Sequence, residues 1–81
     1  MEIRFSRAAQ KALLRCNKGR LIRQKIDELA SDPERMAANV TRLVGRRESR
    51  LRVQDWRVVF WVEDDVLGIE QIGPRGSIYE D

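Results

Sequence analysis

Residues 41–65, TRLVGRRESRLRVQDWRVVFWVEDD, decide the fold. Within them Arg50-Leu51-Arg52-Val53 alternates charged and apolar residues. In a pleated strand that places both arginines on one face and Leu51 and Val53 on the other. Gln54-Asp55 is a short turn. Trp56-Arg57-Val58-Val59-Phe60-Trp61-Val62 follows, dense in β-branched and aromatic residues, as a second and more apolar strand. Glu63-Asp64-Asp65 is a polar turn into a third run, Val66–Ile72, which reads as the partner of 56–62. The stretch also carries six arginines, Arg42, Arg46, Arg47, Arg50, Arg52 and Arg57. So many guanidinium groups repel one another unless an anion is meant to sit among them. A basic strand beside an apolar one is a rigid platform suited to an RNA backbone.

Working outward, Glu2-Ile3-Arg4-Phe5 alternates and reads as a short first strand. Ser6 fits an N-cap, because its hydroxyl can accept from a backbone N–H that the first helical turn leaves unpaired. Ala9, Ala12, Leu13 and Cys16 then recur at helical spacing over residues 7–16. A second helix over 19–31 carries Ile22, Ile26, Leu29 and Ala30 on one stripe, with Gly19 in the preceding turn or just inside the helix. Ser31-Asp32-Pro33 ends it, since proline clashes with a continuing turn. Pro33 is placed to start one more short turn. Residues 37–45 read as a loop, and Gly73-Pro74-Arg75-Gly76-Ser77 as an irregular loop that holds up one cation. The expected architecture is α+β, in the order β-α-α-β-β-β: a helix hairpin packed on a small, mainly antiparallel sheet.

Composition narrows the chemistry. The chain has 81 residues, 42% of them apolar and 36% charged, which suits one small domain with a crowded charged surface. Its net charge is +3, and thirteen of its sixteen cations are arginines. Arginine binds phosphate with a planar fork and stacks on bases, so the bias favours a nucleic-acid or acidic-protein partner. There is no histidine and one cysteine, Cys16. That removes a Ser-His-Asp triad, an intrachain disulfide and the usual Zn or Fe–S ligand sets, so neither a metal nor a cofactor is expected. Cys16, on the apolar helix face, reads as a buried structural thiol. No apolar run approaches a membrane span, and Glu2 and Arg4 stand where a signal peptide needs an apolar core; the expectation is a cytosolic protein.

Two segments carry a family resemblance. Leu51-Arg52-Val53-Gln54-Asp55-Trp56-Arg57-Val58-Val59-Phe60 resembles the run joining the second and third strands of the RelE/ParE superfamily of bacterial type II toxins. Gly73-Pro74-Arg75-Gly76-Ser77-Ile78-Tyr79 resembles that superfamily's closing segment. The likeness spans essentially the whole chain, and it implies a toxin held by a cognate antitoxin in a hetero-oligomeric complex. Two branches differ in target: the RelE-like branch implies ribosome-dependent cleavage of mRNA, the ParE-like branch inhibition of DNA gyrase without cleavage.

The nuclease branch is favoured because cations at Arg50, Arg57 and Arg75 and a tyrosine at Tyr79 match its pattern. Cleavage by attack of the 2′-hydroxyl needs a base, cations on the phosphate and an acid for the leaving oxygen. Without histidine the base candidate is Tyr79, whose pKa of about 10 must be lowered by neighbouring arginines. Arg50 and Arg57 are placed to clamp the phosphate and Arg75 to serve the leaving group, with Arg46, Arg47 and Arg52 as further RNA contacts. The blander reading stays open beside it: Arg52 and Arg57 as strand residues paired with Asp55 and Glu63, and Tyr79 as an aromatic packed on the sheet edge. One departure from the pattern is plain. Where RelE-like nucleases place two lysines one residue apart, this chain has Glu48 and Arg50, and an acid there weakens phosphate binding unless Arg46 or Arg47 compensates.

Overall fold

The computed structural model describes residues 1–78. The chain runs β1 (Glu2–Phe5), α1 (Arg7–Arg15), α2 (Gly19–Ser31), a 3-10 segment (Pro33–Asn39), β2 (Val40–Arg42), β3 (Ser49–Val53), β4 (Trp56–Glu63) and β5 (Val66–Pro74). The five strands form one sheet in the order β1-β5-β4-β3-β2. Only β1 and β5 are parallel; the other pairings are antiparallel. This is the expected α+β arrangement with one addition. The segment read as a loop over 37–45 contains β2, which pairs Val40, Thr41 and Arg42 with Leu51, Arg50 and Ser49. Three residues are too few to show alternation, so pairing with β3 decides what local pattern does not.

The helices form because their apolar residues share a face and their ends are capped. Ser6 accepts from the Ala9 N–H at 3.0 Å, and its hydroxyl donates to the Glu70 carbonyl at 2.7 Å. One side chain therefore starts α1 and fastens it to β5. In α2 the predicted stripe is the buried one: Ile22, Ile26, Leu29 and Ala30. Gly19 is the first residue of that helix, and Pro33 opens the 3-10 segment that follows. Cys16 departs from expectation. It lies one residue past α1 at the C-cap, half-buried, and its sulfur accepts from the Lys18 N–H at 3.2 Å.

Both helices cover one face of the sheet, where Leu51, Val53, Val58, Phe60, Leu67, Ile69 and Ile72 join the helical stripes in the main core. The opposite face holds a smaller cluster of Leu43, Val59 and Ile78. Ile69 and Ile72 are three residues apart, yet both belong to the main core. A bulge explains this. Val59 pairs with Gln71 but Phe60 pairs with Ile69, so Glu70 is an extra residue that resets the alternation.

Tight turns join the hairpins. Asp64 and Asp65, between the paired Glu63 and Val66, both have positive φ (51° and 61°), as a type I′ turn requires. The closing segment corrects one expectation. Gly73 and Pro74 are the last residues of β5, opposite Arg57 and Trp56, so the irregular turn begins only at Arg75. Proline is tolerated there because it stands at the strand's end, where a missing N–H costs little.

Candidate functional site

The open face of the sheet carries the candidate site. On β3 the alternation that buries Leu51 and Val53 turns Arg50 and Arg52 outward. On β4 it does the same for Arg57, Val59 and Trp61, while Trp56 packs with the main core. The two tryptophans thus lie on opposite faces, as their odd spacing requires. Arg52 and Arg57 are direct cross-strand partners, and Arg50 stands opposite Val59. Directly opposed like charges destabilise a sheet. Here Arg50, Arg52 and Arg57 surround a hollow of about 180 Å³ completed by Ala38, Asn39 and Thr41.

Arg57 is held in place. Its Nη1 donates to the Gln54 carbonyl at 2.8 Å and to the Trp56 carbonyl at 3.0 Å. The guanidinium is therefore anchored to the β3–β4 turn by neutral acceptors that leave its charge uncompensated, and its remaining N–H groups are not used by those two bonds. The alternative pairing of Arg57 with Glu63 does not form: Glu63 stands at the far end of β4 and takes Arg47 at 3.0 Å. Arg75 sits at the same end of the sheet. Its backbone N–H donates to the Asp55 carbonyl at 2.7 Å, which ties the closing turn to the β3–β4 turn. Its side chain is exposed and has no ion pair among the described residues.

Arg46 and Arg47 lie in the loop between β2 and β3. Arg46 is exposed. Arg47 is caught among several groups that sequence reasoning did not connect. Its guanidinium lies 4.7 Å from the centroid of Trp61, and it reaches Glu48 at 3.3 Å and Glu63 at 3.0 Å. Trp61 is itself fixed, with Nε1 donating to Glu70 Oε1 at 2.6 Å. Its ring lies flat against Gly68, where an added Cβ would fall 2.1 Å from a ring carbon. Glu48, expected to weaken phosphate binding, is instead spent on Arg47. Beside this group lies a hollow of about 230 Å³ lined by Arg47, Glu48, Glu70 and Gln71. The side-chain oxygen of Gln71 is buried and has no hydrogen-bond partner among the described residues.

The structure thus brings Arg50, Arg52 and Arg57 into one hollow and places Arg75 near the turn that anchors Arg57. Arg47 is at the other end of the open face, and Tyr79 lies outside the described residues. No group of His, Cys, Asp or Glu among the described residues could hold a metal ion. No helix among them is long and apolar enough to cross a membrane.

Comparisons with known proteins agree with the fold. The family described as the ParE toxin of the type II toxin-antitoxin system parDE matches residues 3–79. Among solved structures, the archaeal RelE–RelB complex from Pyrococcus horikoshii is similar at a TM-score of 0.77 and 27% identity, covering 95% of this chain and 97% of that one. The intact Escherichia coli RelBE toxin–antitoxin complex is similar at a TM-score of 0.73 and 21% identity, covering 90% and 94%. The RelBE2 complex of Mycobacterium tuberculosis follows at 0.62 and 20%, covering 91% and 96%. No curated protein sequence matches the chain.

Proposed function

The chain belongs to the ParE toxin family of type II toxin–antitoxin systems, and we propose that it acts as a toxin on RNA, cutting translated mRNA on the ribosome until a cognate antitoxin covers it. One observation carries the RNA reading: Arg50, Arg52 and Arg57 converge on a single polar hollow, with Arg57 fixed by neutral carbonyls. A phosphodiester seated there would receive charge-assisted hydrogen bonds from adjacent strands, and such preorganised donors stabilise the charge that builds on phosphate oxygens. Arg75 is the group for the leaving oxygen and Tyr79 the proposed base. A chain without histidine is a weak general acid–base catalyst, so the ribosome has to supply orientation and further proton-transfer groups. The antitoxin partner follows from the neighbours, which are complexes of a RelE toxin with RelB. The site of action is the cytoplasm.

The family match favours a second reading, a ParE-like gyrase inhibitor with the same fold and no cleavage. Glu48, in a lysine position and engaged with Arg47, favours a third reading, a chain of this fold that no longer cuts and only binds its antitoxin or RNA. Induction of the chain in cells, followed by mapping of 5′ ends on translated transcripts, separates the first two. Cuts inside reading frames that vanish in Arg57→Ala and Arg75→Ala support the nuclease. Growth arrest with intact mRNA and a DNA-damage response would move the protein to the gyrase branch. Both variants should keep the wild-type melting temperature, since neither side chain belongs to a core cluster.

A further inference from the structure

The helix hairpin carries a second basic surface that the arginine platform does not account for. From Ile3 to Ile26 the sequence contains no aspartate or glutamate, but it holds Arg4, Arg7, Lys11, Arg15, Lys18, Arg20, Arg23 and Lys25. Arg4, Arg23 and Lys25 pair with Glu2, Asp27 and Glu28. Arg7, Lys11, Arg15, Lys18 and Arg20 are all exposed and have no ion pair among the described residues.

Helix stability accounts for Arg15, which stands in the last turn of α1 where the dipole favours a cation, but not for the other four. Arg7 is the first residue of α1, Lys18 is the N-cap of α2 and Arg20 is the second residue of that helix. The positive end of a helix dipole repels cations at each of these positions. Arg7, Lys11 and Arg15 recur every four residues, so they stack on one helical face, where like charges destabilise the helix. That face points away from the buried Ala9 and hence away from the sheet. An anion bound across this row would offset an arrangement that is unfavourable in the free protein.

We propose that the exposed face of α1, with Lys18 and Arg20 at the start of α2, is a docking surface for the backbone of double-helical RNA, separate from the open-face site. Successive cations in the row are about 6 Å apart along the helix axis, close to the distance between neighbouring phosphates on one strand. Duplex RNA is recognised mainly through phosphates and shape, which asks for such a row and for few base-reading groups. A protein interface is usually centred on buried aromatic or apolar anchors set among its charged groups. The large apolar residues exposed among those described are Leu14, Val44 and Val62, and only Leu14 is on this face. The choice of RNA over DNA rests on the function proposed above.

Binding of the full chain to a fluorescent RNA duplex, measured by anisotropy across a salt series, tests this without reference to cleavage. The variant Arg7→Gln/Lys11→Gln/Arg15→Gln should bind at least tenfold more weakly. The slope of log affinity against log salt should fall by about 2 to 3, since each lost phosphate contact removes about 0.7–0.9. Arg7→Lys/Arg15→Lys should retain binding, because it keeps the charge at both positions. The glutamine variant relieves repulsion and should melt no lower than wild type. Undiminished binding by that folded variant overturns the proposal. Equal affinity for duplex DNA overturns the assignment to RNA, and a loss seen only with polyglutamate would assign the surface to an acidic protein. Loss of mRNA cutting in cells with duplex binding intact sinks the cleavage reading alone.

Discussion

Trp61 shows how one residue can be fixed from several sides. Gly68 lets the ring lie flat, Glu70 takes its N–H, and Arg47 covers its face. Gly68→Ala would drive a methyl group into the ring and should cost about 1–3 kcal/mol as an overpacked site. Trp61→Ala removes the obstacle, so the double variant should be more stable in urea melts than the sum of the single losses implies. Additive losses would mean that ring and glycine do not share the strain. The Arg47–Glu63 pair has both side chains 59% exposed. Glu63→Gln should therefore leave the melting temperature almost unchanged, because exposed ion pairs contribute little. At this scale the sequence reveals part of the site. The alternation at Arg50-Leu51-Arg52 already puts two arginines on the open face. It does not reveal that Glu48 and Glu63 converge on Arg47, because they are brought there by a loop and by a separate strand.

At the scale of elements, Ser6 links three of them: the end of β1, the first turn of α1 and the bulged carbonyls of β5. Its backbone N–H also donates to the Ile69 carbonyl at 2.9 Å. Ser6→Ala loses the cap and the bond to Glu70 together, and a loss of about 1–2 kcal/mol is expected in chemical denaturation. Ser6→Asp should recover part of it, since a carboxylate caps as well but cannot donate to the carbonyl. No recovery would assign the whole effect to the Glu70 bond. The helices were legible because a 3.6-residue period persists over several turns, as Ile22, Ile26, Leu29 and Ala30 show. Gly73-Pro74 reads as loop in the sequence because both residues favour turns, and its pairing with Trp56 and Arg57 overrides that local preference. The bulge was not legible. Ile69-Glu70-Gln71-Ile72 looks like a polar interruption until its partner strand is known.

The whole molecule depends on joining its ends. Residues 2–5 of β1 pair with residues 66–69 of β5, so the sheet closes only when the first strand finds one near the far end of the chain. Ile26 is fully buried in the core between hairpin and sheet. Ile26→Ala should cost about 2–5 kcal/mol. In a domain of this size that lowers the melting temperature by roughly 10 °C or more. The bulge in β5 adds a rule of parity to this frame. Everything after Glu70 faces its present way because that residue takes no place in the pairing, including the turn whose Arg75 N–H meets Asp55. Loss of the single codon for Glu70 would remove the bulge and leave Gln71 and Ile72 on their present sides, opposite Val59 and Val58. Loss of the codons for Glu70 and Gln71 together would send Ile72 toward the arginines. Deletions in this short segment should therefore be tolerated by parity as well as by length, the loss of one residue doing less harm than the loss of two.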